Sequence, residues 1–259
     1  MRLQVLLAID IGNTNVKIGI FQGGTLIGHS YVALRDASAG TKLGEFINPY
    51  TSAADAEAEA AIVSSVVPSM TEQVLSHVWP YFSGEPHIVS HRTNTGLSFS
   101  LPHPERLGAD RIAAAAWGYS HFGAPAAVID FGTATTISVV GRGGVFVGGA
   151  IVPGLRTMAR SFSEHTAQLP HVELESPGGA LGRDTNSAII SGIVYGTAGA
   201  VSRVVYEIER ELGYNLKLAV TGGNLTLIEP FLERADVVEP ALPLKALQAI
   251  YQRIREPWT

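Results

Sequence analysis

One spacing organises this chain. Position 130 minus position 10 is 120 residues, and at that offset Ile9 meets Ile129, Asp10 meets Asp130 and Gly12 meets Gly132. The same offset, without a gap, aligns Gly23 with Gly143, Gly24 with Gly144 and Gly28 with Gly148. In each copy an apolar run (3–9 or 126–131) reaches an Asp-x-Gly turn, and a second run (16–21 or 137–140) reaches a Gly-Gly turn. A third run follows, at 25–29 or 145–152. Short apolar runs punctuated by Gly, Asn and Asp predict three-stranded meanders. Two unrelated hairpins can share turn glycines. A common Asp-x-Gly at one end and Gly-Gly at the other favours duplication instead. The expected fold is therefore α/β and duplicated: two lobes, residues 1–120 and 121–259, each offering its Asp-x-Gly turn to a cleft between them.

The stretches between the meanders fit that plan. Helical spacing is expected over 41–50, 69–81, 105–122 and 184–212, and strands over 61–67, 86–90 and 217–221, with two more helical segments after them. Gly192, Gly196 and Gly199 weaken the longest helix and suit close helix packing better than a phosphate loop. Composition removes several function classes. With 18 basic and 23 acidic residues the net charge is −5, so no basic bias draws the chain to nucleic acid. The absence of cysteine excludes disulfides, thiolate metal sites and a cysteine nucleophile. The eight histidines show no His-x-x-x-His pair, which argues against zinc. The apolar start is broken by Asp10 without a small-residue cleavage site, and no uninterrupted apolar run of about 18 residues occurs. A cytoplasmic protein with no membrane span is expected.

The turns carry the chemistry. A tight turn rich in Gly, Asn and Thr gathers backbone N–H groups, hydroxyls and amides in one concavity, which suits an oligophosphate. Asp10 and Asp130 beside those turns repel phosphate unless a cation intervenes, so each points to a metal ion or its water shell. Asp-x-Gly-Asn-Thr is also simply a good hairpin turn, but its recurrence favours phosphate binding. No Gly-Lys-Ser/Thr loop and no Gly-x-Gly-x-x-Gly at a helix start is present. Paired phosphate hairpins in a duplicated α/β chain resemble the acetate and sugar kinase, Hsp70 and actin superfamily, which implies an actin-like (ribonuclease H-like) fold. Asp110 and Arg111, at the start of an Ala-rich helix, pair a proton acceptor with a carboxylate-binding guanidinium. Spacing alone favours an Asp placed by the helix dipole beside a surface Arg.

Five segments resemble, in order, the motif set of the type III pantothenate kinases. They are Asp10-Ile-Gly-Asn-Thr14, Gly108-Ala-Asp-Arg111, Asp130-Phe-Gly-Thr-Ala-Thr-Thr136, the segment from Gly148 to Gly154, and Gly182-Arg-Asp-Thr185. The resemblance implies ATP-dependent phosphorylation of pantothenate, the entry to coenzyme A. It assigns Asp10, Ile11, Gly12, Asn13, Thr14, Asn15, Val16 and Lys17 to the first ATP phosphate loop and Thr133 to the second. Asp130 would bind a monovalent cation, potassium or ammonium, alongside the magnesium of ATP. Gly108, Ala109, Asp110 and Arg111 would hold pantothenate, with Asp110 as general base. Thr185 would complete that site across a homodimer interface. The family often carries a tyrosine seven residues before Gly108, where this chain has Leu101. The alternatives are a non-catalytic regulatory protein on the same fold, or another small-molecule kinase of the superfamily; retention of Asp110, Asp130 and both turns disfavours the first, and Gly-Ala-Asp-Arg the second.

Overall fold

The computed structural model describes residues 5–51, 58, 60–166 and 169–255. The chain divides into two compact units, Met1–Trp117 with Ala241–Thr259, and Gly118–Pro240. The sequence reading had grouped 121–259 together; the contacts instead group the final helix with the first unit.

In the first unit β1 (Val5–Ile11), β2 (Asn15–Gln22) and β3 (Thr25–Ala33) form the expected meander. After α1 (Ala39–Thr51), β4 (Ala60–Ser65) adds beside β1. After α2 (Pro68–Val78), β5 (His87–Ile88) adds beside β4. The sheet order is β3-β2-β1-β4-β5, antiparallel through the meander and parallel beyond it. Every residue of β1 is buried, as a central strand covered on both faces requires. Val5, Leu7, Ile9 and Ile11 join Leu43, Ile47, Val74 and Val78 of α1 and α2 in one core. The alternate residues Leu6, Ala8 and Asp10 face the other way. The fold also places α3 (Ala109–Phe122), whose first turn lies in this unit. The expected helix over 105–122 is interrupted. Pro104–Arg106 forms a separate 3₁₀ turn and Leu107 is extended, so α3 starts only at Ala109 and Asp110 enters its first turn.

In the second unit β6 (Ala126–Phe131), β7 (Ala134–Val140) and β8 (Val145–Pro153) repeat the meander. After α4 (Leu155–His165) and α5 (Thr185–Leu212), β9 (Lys217–Thr221) and β10 (Val237–Val238) extend the sheet. The order of these strands is β8-β7-β6-β9-β10, with the same antiparallel and parallel pairings as in the first unit. The duplication is real, but its constant offset conceals two compensating changes. Ile11 pairs with Val16 across the first turn, whereas Phe131 pairs with Thr135, so the second turn is one residue shorter. Both second strands then bulge at matching points, Ile20/Phe21 and Val139/Val140, at an offset of 139 minus 20, or 119. The following Gly-Gly hairpin of the second copy is one residue longer and restores 120. The second strand of this copy begins at Ala134, earlier than the expected residue 137, and the shorter turn accounts for one of those three residues.

Helix α5 is long and apolar enough to cross a bilayer by composition, yet half of that window is buried within the chain. Ile189, Ile190, Ile193, Val194, Ala198, Val201 and Val205 pack with β6, β7 and β9 in the second core. Its glycines all fall on the opposite face: Gly192, Gly196 and Gly199 are exposed in line with Tyr195 and Tyr206. Finally, α6 (Leu242–Arg255) returns to the first unit, where Leu242, Leu244, Leu247 and Ile250 are buried against β1, β2 and β4.

Candidate active site

In the first unit the end of β1 carries Asp10, only 5 % exposed. Antiparallel register sets Lys17 of β2 opposite it, and the Lys17 ammonium lies 3.2 Å from Asp10 Oδ2. Parallel register sets Ser64 of β4 on its other side. Ser64 is buried and its hydroxyl has no hydrogen-bond partner among the described residues. Asp110 belongs to the same neighbourhood: burial pushes its carboxyl pKa up, and the charge of Asp10 pushes it further in that direction. The Arg111 N–H, which donates to Asp110 Oδ1 at 2.7 Å, and the charges of Arg111 and Lys17 act the other way. Gly108 leaves room for that carboxylate, since a Cβ there would stand 2.5 Å from Asp110 Oδ1. Burial also lowers the pKa of Arg111, against the pull of Asp110. A buried carboxylate at Asp10 beside the unpartnered Ser64 hydroxyl offers oxygen donors that fit a divalent cation.

The turn between β1 and β2 is narrower than the eight-residue span 10–17. Gly12 donates its N–H to the Asn15 carbonyl at 3.0 Å, and Asn13, Thr14 and Asn15 are exposed. Ile11 and Val16 are wholly buried core residues, so only their backbone is available to a ligand. Ala109 likewise turns its methyl into the core. Leu101 is half-buried in the loop before the Pro104–Arg106 turn.

The second unit repeats the arrangement. Asp130 ends β6, with Thr136 opposite it on β7 and Thr221 beside it on β9. Thr221 is fully buried with no hydrogen-bond partner for its hydroxyl among the described residues, as Ser64 is in the first copy. The turn Gly132-Thr133 is pinned from three sides. Gly132 donates to the Ala134 carbonyl at 3.2 Å. The Thr133 carbonyl accepts from Gly154 N–H at 3.0 Å and from Thr157 Oγ1 at 2.7 Å. Asn224 Nδ2 donates to the carbonyls of Phe131 and Gly132 at 3.1 and 3.2 Å. Gly222, at φ +114°, passes so near that a Cβ would stand 2.5 Å from both Asp130 Oδ1 and the Phe131 nitrogen. A carboxylate beside a glycine-lined turn and a buried spare hydroxyl fits a small cation.

Thr185 stands apart from that turn, exposed at the first position of α5. Its motif has a plain structural basis. Asp184 is the N-cap, accepting from Ser187 N–H at 2.9 Å while Ser187 Oγ accepts from Asp184 N–H at 3.2 Å. The Ser187 N–H donated to its carboxylate is the largest cause of a lowered Asp184 pKa. Gly182 presses on the backbone of Ala188, leaving no room for a side chain. Ser64, Thr221, Asn224 and Arg156 were missed by sequence reasoning. Asn224 follows Gly222-Gly223 at a strand end, the one local signal available; strand register, which a single sequence does not display, brings the two hydroxyls beside the carboxylates.

Comparison with known proteins follows the same lines. The family model for type III pantothenate kinase matches residues 6–207. A type III pantothenate kinase from Agathobacter rectalis is 34 % identical over 253 residues, covering 96 % of this chain and 97 % of its own. Among solved structures, a Campylobacter jejuni protein named for the Baf family of transcriptional activators is similar with TM-score 0.61 and 19 % identity, covering 95 % and 97 % of the two chains. A Sinorhizobium meliloti protein named for 2-dehydro-3-deoxygalactonokinase gives TM-score 0.54 at 13 % identity, with 98 % of each chain covered. At such identities these two speak to the fold, which is the actin-like one.

Proposed function

The chain belongs to the type III pantothenate kinase family, and on that premise we propose how its residues transfer phosphate from ATP to the hydroxyl of pantothenate. The reaction is the first committed to coenzyme A, and it uses ATP with a divalent metal. The observation that carries the residue assignment is the half-buried Asp110 at the start of α3, whose pKa is raised by burial and by the nearby charge of Asp10.

Asp110 accepts the proton of the pantothenate hydroxyl as that oxygen attacks the γ-phosphorus. A raised pKa suits a base, because proton affinity improves with it. Arg111, partly desolvated at the same helix start, pairs with the pantothenate carboxylate. Gly108 gives the Asp110 carboxylate its space and Ala109 anchors the turn in the core. Asn13, Thr14 and Asn15, with the backbone from Asp10 to Lys17, bind ATP phosphates, and Thr133 does so from the second turn. Asp10 would hold magnesium, which would neutralise charge on the transferring group when bound and would leave Asp110 free to take the proton. Asp130 would hold potassium or ammonium, with Thr221 as the spare hydroxyl beside it. Thr185 contributes to pantothenate binding in a homodimer built on the exposed glycine face of α5, an arrangement supported by the small residues along it and flanking Tyr195 and Tyr206. The enzyme works in the cytoplasm.

One experiment tests the substrate and the cation together. Phosphorylation coupled to ADP release should proceed with pantothenate and not with a panel of sugars. It should be fast in potassium or ammonium and poor in sodium at equal ionic strength. Equal rates in all three salts would remove the cation role from Asp130, and sugar turnover would displace the pantothenate assignment. Sedimentation of the same preparation should give a dimer; a fully active monomer would exclude the role of Thr185 across an interface.

A further inference from the structure

Asn224 is 7 % exposed, and both ends of its side-chain amide are engaged. Nδ2 serves the carbonyls of Phe131 and Gly132, and Oδ1 accepts from Arg156 Nε at 3.1 Å. Its own N–H donates to the Phe131 carbonyl at 3.1 Å. One amide thus ties the Asp130–Thr133 turn to the first turn of α4. Arg156 itself is exposed, and Nε is its only bonded nitrogen among the described residues. A guanidinium has five donors in a rigid plane. Holding it by Nε fixes the plane and leaves the terminal N–H groups unused, the fork that grips phosphate oxygens in pairs.

We propose that Arg156 binds the phosphates of the nucleotide at the second turn and that Asn224 is the positioning residue that holds it there. The inference rests on the reading of Gly132-Thr133 as a nucleotide site. A surface arginine with no task would gain nothing from a buried amide, whereas a phosphate ligand gains a pre-set geometry and loses less rotamer freedom on binding. The amide couples two functions: the shape of the turn and the aim of the cation.

The test measures binding of ADP and of a non-hydrolysable ATP analogue by calorimetry, with kinetics alongside. Arg156→Gln should weaken the analogue roughly 10–100-fold, the range for charge-assisted hydrogen bonds, with an unchanged melting temperature and a pantothenate KM within about twofold. Arg156→Lys should not restore affinity, since lysine keeps the charge but has no Nε for Asn224 to hold; full rescue by Lys would overturn the positioning role. Asn224→Ala should raise the ATP KM without raising that for pantothenate, and adding Arg156→Gln to it should cost little more. Should Asn224→Ala fail to fold, the two Arg156 variants still decide. Thr133→Val separates the layers of the argument. If it weakens nucleotide binding and Arg156→Gln does not, this proposal falls alone; if neither weakens it, the reading of the turn falls as well.

Discussion

Asp110→Asn is expected to lower kcat by roughly 10²–10⁴-fold, the range for loss of a general base. Asn keeps the size of the side chain and a hydrogen-bond acceptor for the Arg111 N–H, but it takes no proton at neutral pH. The fold should tolerate the change. Burial and Asp10 raise the Asp110 pKa above the ordinary 3.8, so the folded state favours the protonated carboxyl. Its stabilising contribution is complete at low pH and is lost as pH rises through the folded-state pKa. At neutral pH the wild-type carboxylate is therefore a cost, and a neutral Asn should leave the melting temperature equal or higher. The same shift sets the acid limb of wild-type kcat: activity should fall, as pH decreases, at a higher pH than an ordinary aspartate would give. Single-turnover phosphorylation and thermal unfolding on one preparation check both. A folded variant with wild-type chemistry would remove Asp110 from the mechanism.

Gly222→Ala should be strongly destabilising to the second unit. Its φ of +114° is unfavourable for any L side chain, and the added Cβ would overlap Asp130 Oδ1 and the Phe131 nitrogen at 2.5 Å. Backbone strain and overpacking each cost about 1–3 kcal/mol, so a loss of roughly 2–5 kcal/mol is expected. The overlap falls on Asp130, so the response to potassium should be lost with it. Gly223→Ala is the control, because no atom lies within 4 Å of its Cβ position and its φ is outside the positive region. It should melt close to wild type. Equal melting of the two variants would show that the turn yields easily and that Asp130 is not held by Gly222.

Much of this architecture was legible because it is periodic. Continuous apolar runs within 5–11 and 126–131 and the punctuating glycines defined both meanders, and the Asp-x-Gly ends located both turns. What stayed hidden depends on pairing. A gap-free alignment could not reveal that a residue lost after Asp130 is regained at Gly141–Val145, because only strand register counts residues across a turn. Ser64 and Thr221 lie far from their aspartates in sequence and become neighbours through parallel pairing alone. Helical spacing over 105–122 concealed the break at Leu107, which sets where α3 starts and therefore where Asp110 sits. Asn224 carried only the signal of a Gly-Gly turn, and its value lies in carbonyls it reaches 92 and 93 residues away.

The return of α6 to the first unit has a consequence for synthesis. Residues 118–240 are contiguous, so the second unit can close its core as soon as it leaves the ribosome. The first unit, although made earlier, waits: until α6 has emerged, Leu6, Ala8 and the neighbouring face of β2 and β4 lack Leu244, Leu247 and Ile250. Birth order and folding order are thereby reversed, and the half bearing Asp10 and Asp110 matures last. Limited proteolysis of stalled nascent chains should find the second unit protected before the first. A cell would thus hold no nascent chain whose first unit is finished while the second is still being made.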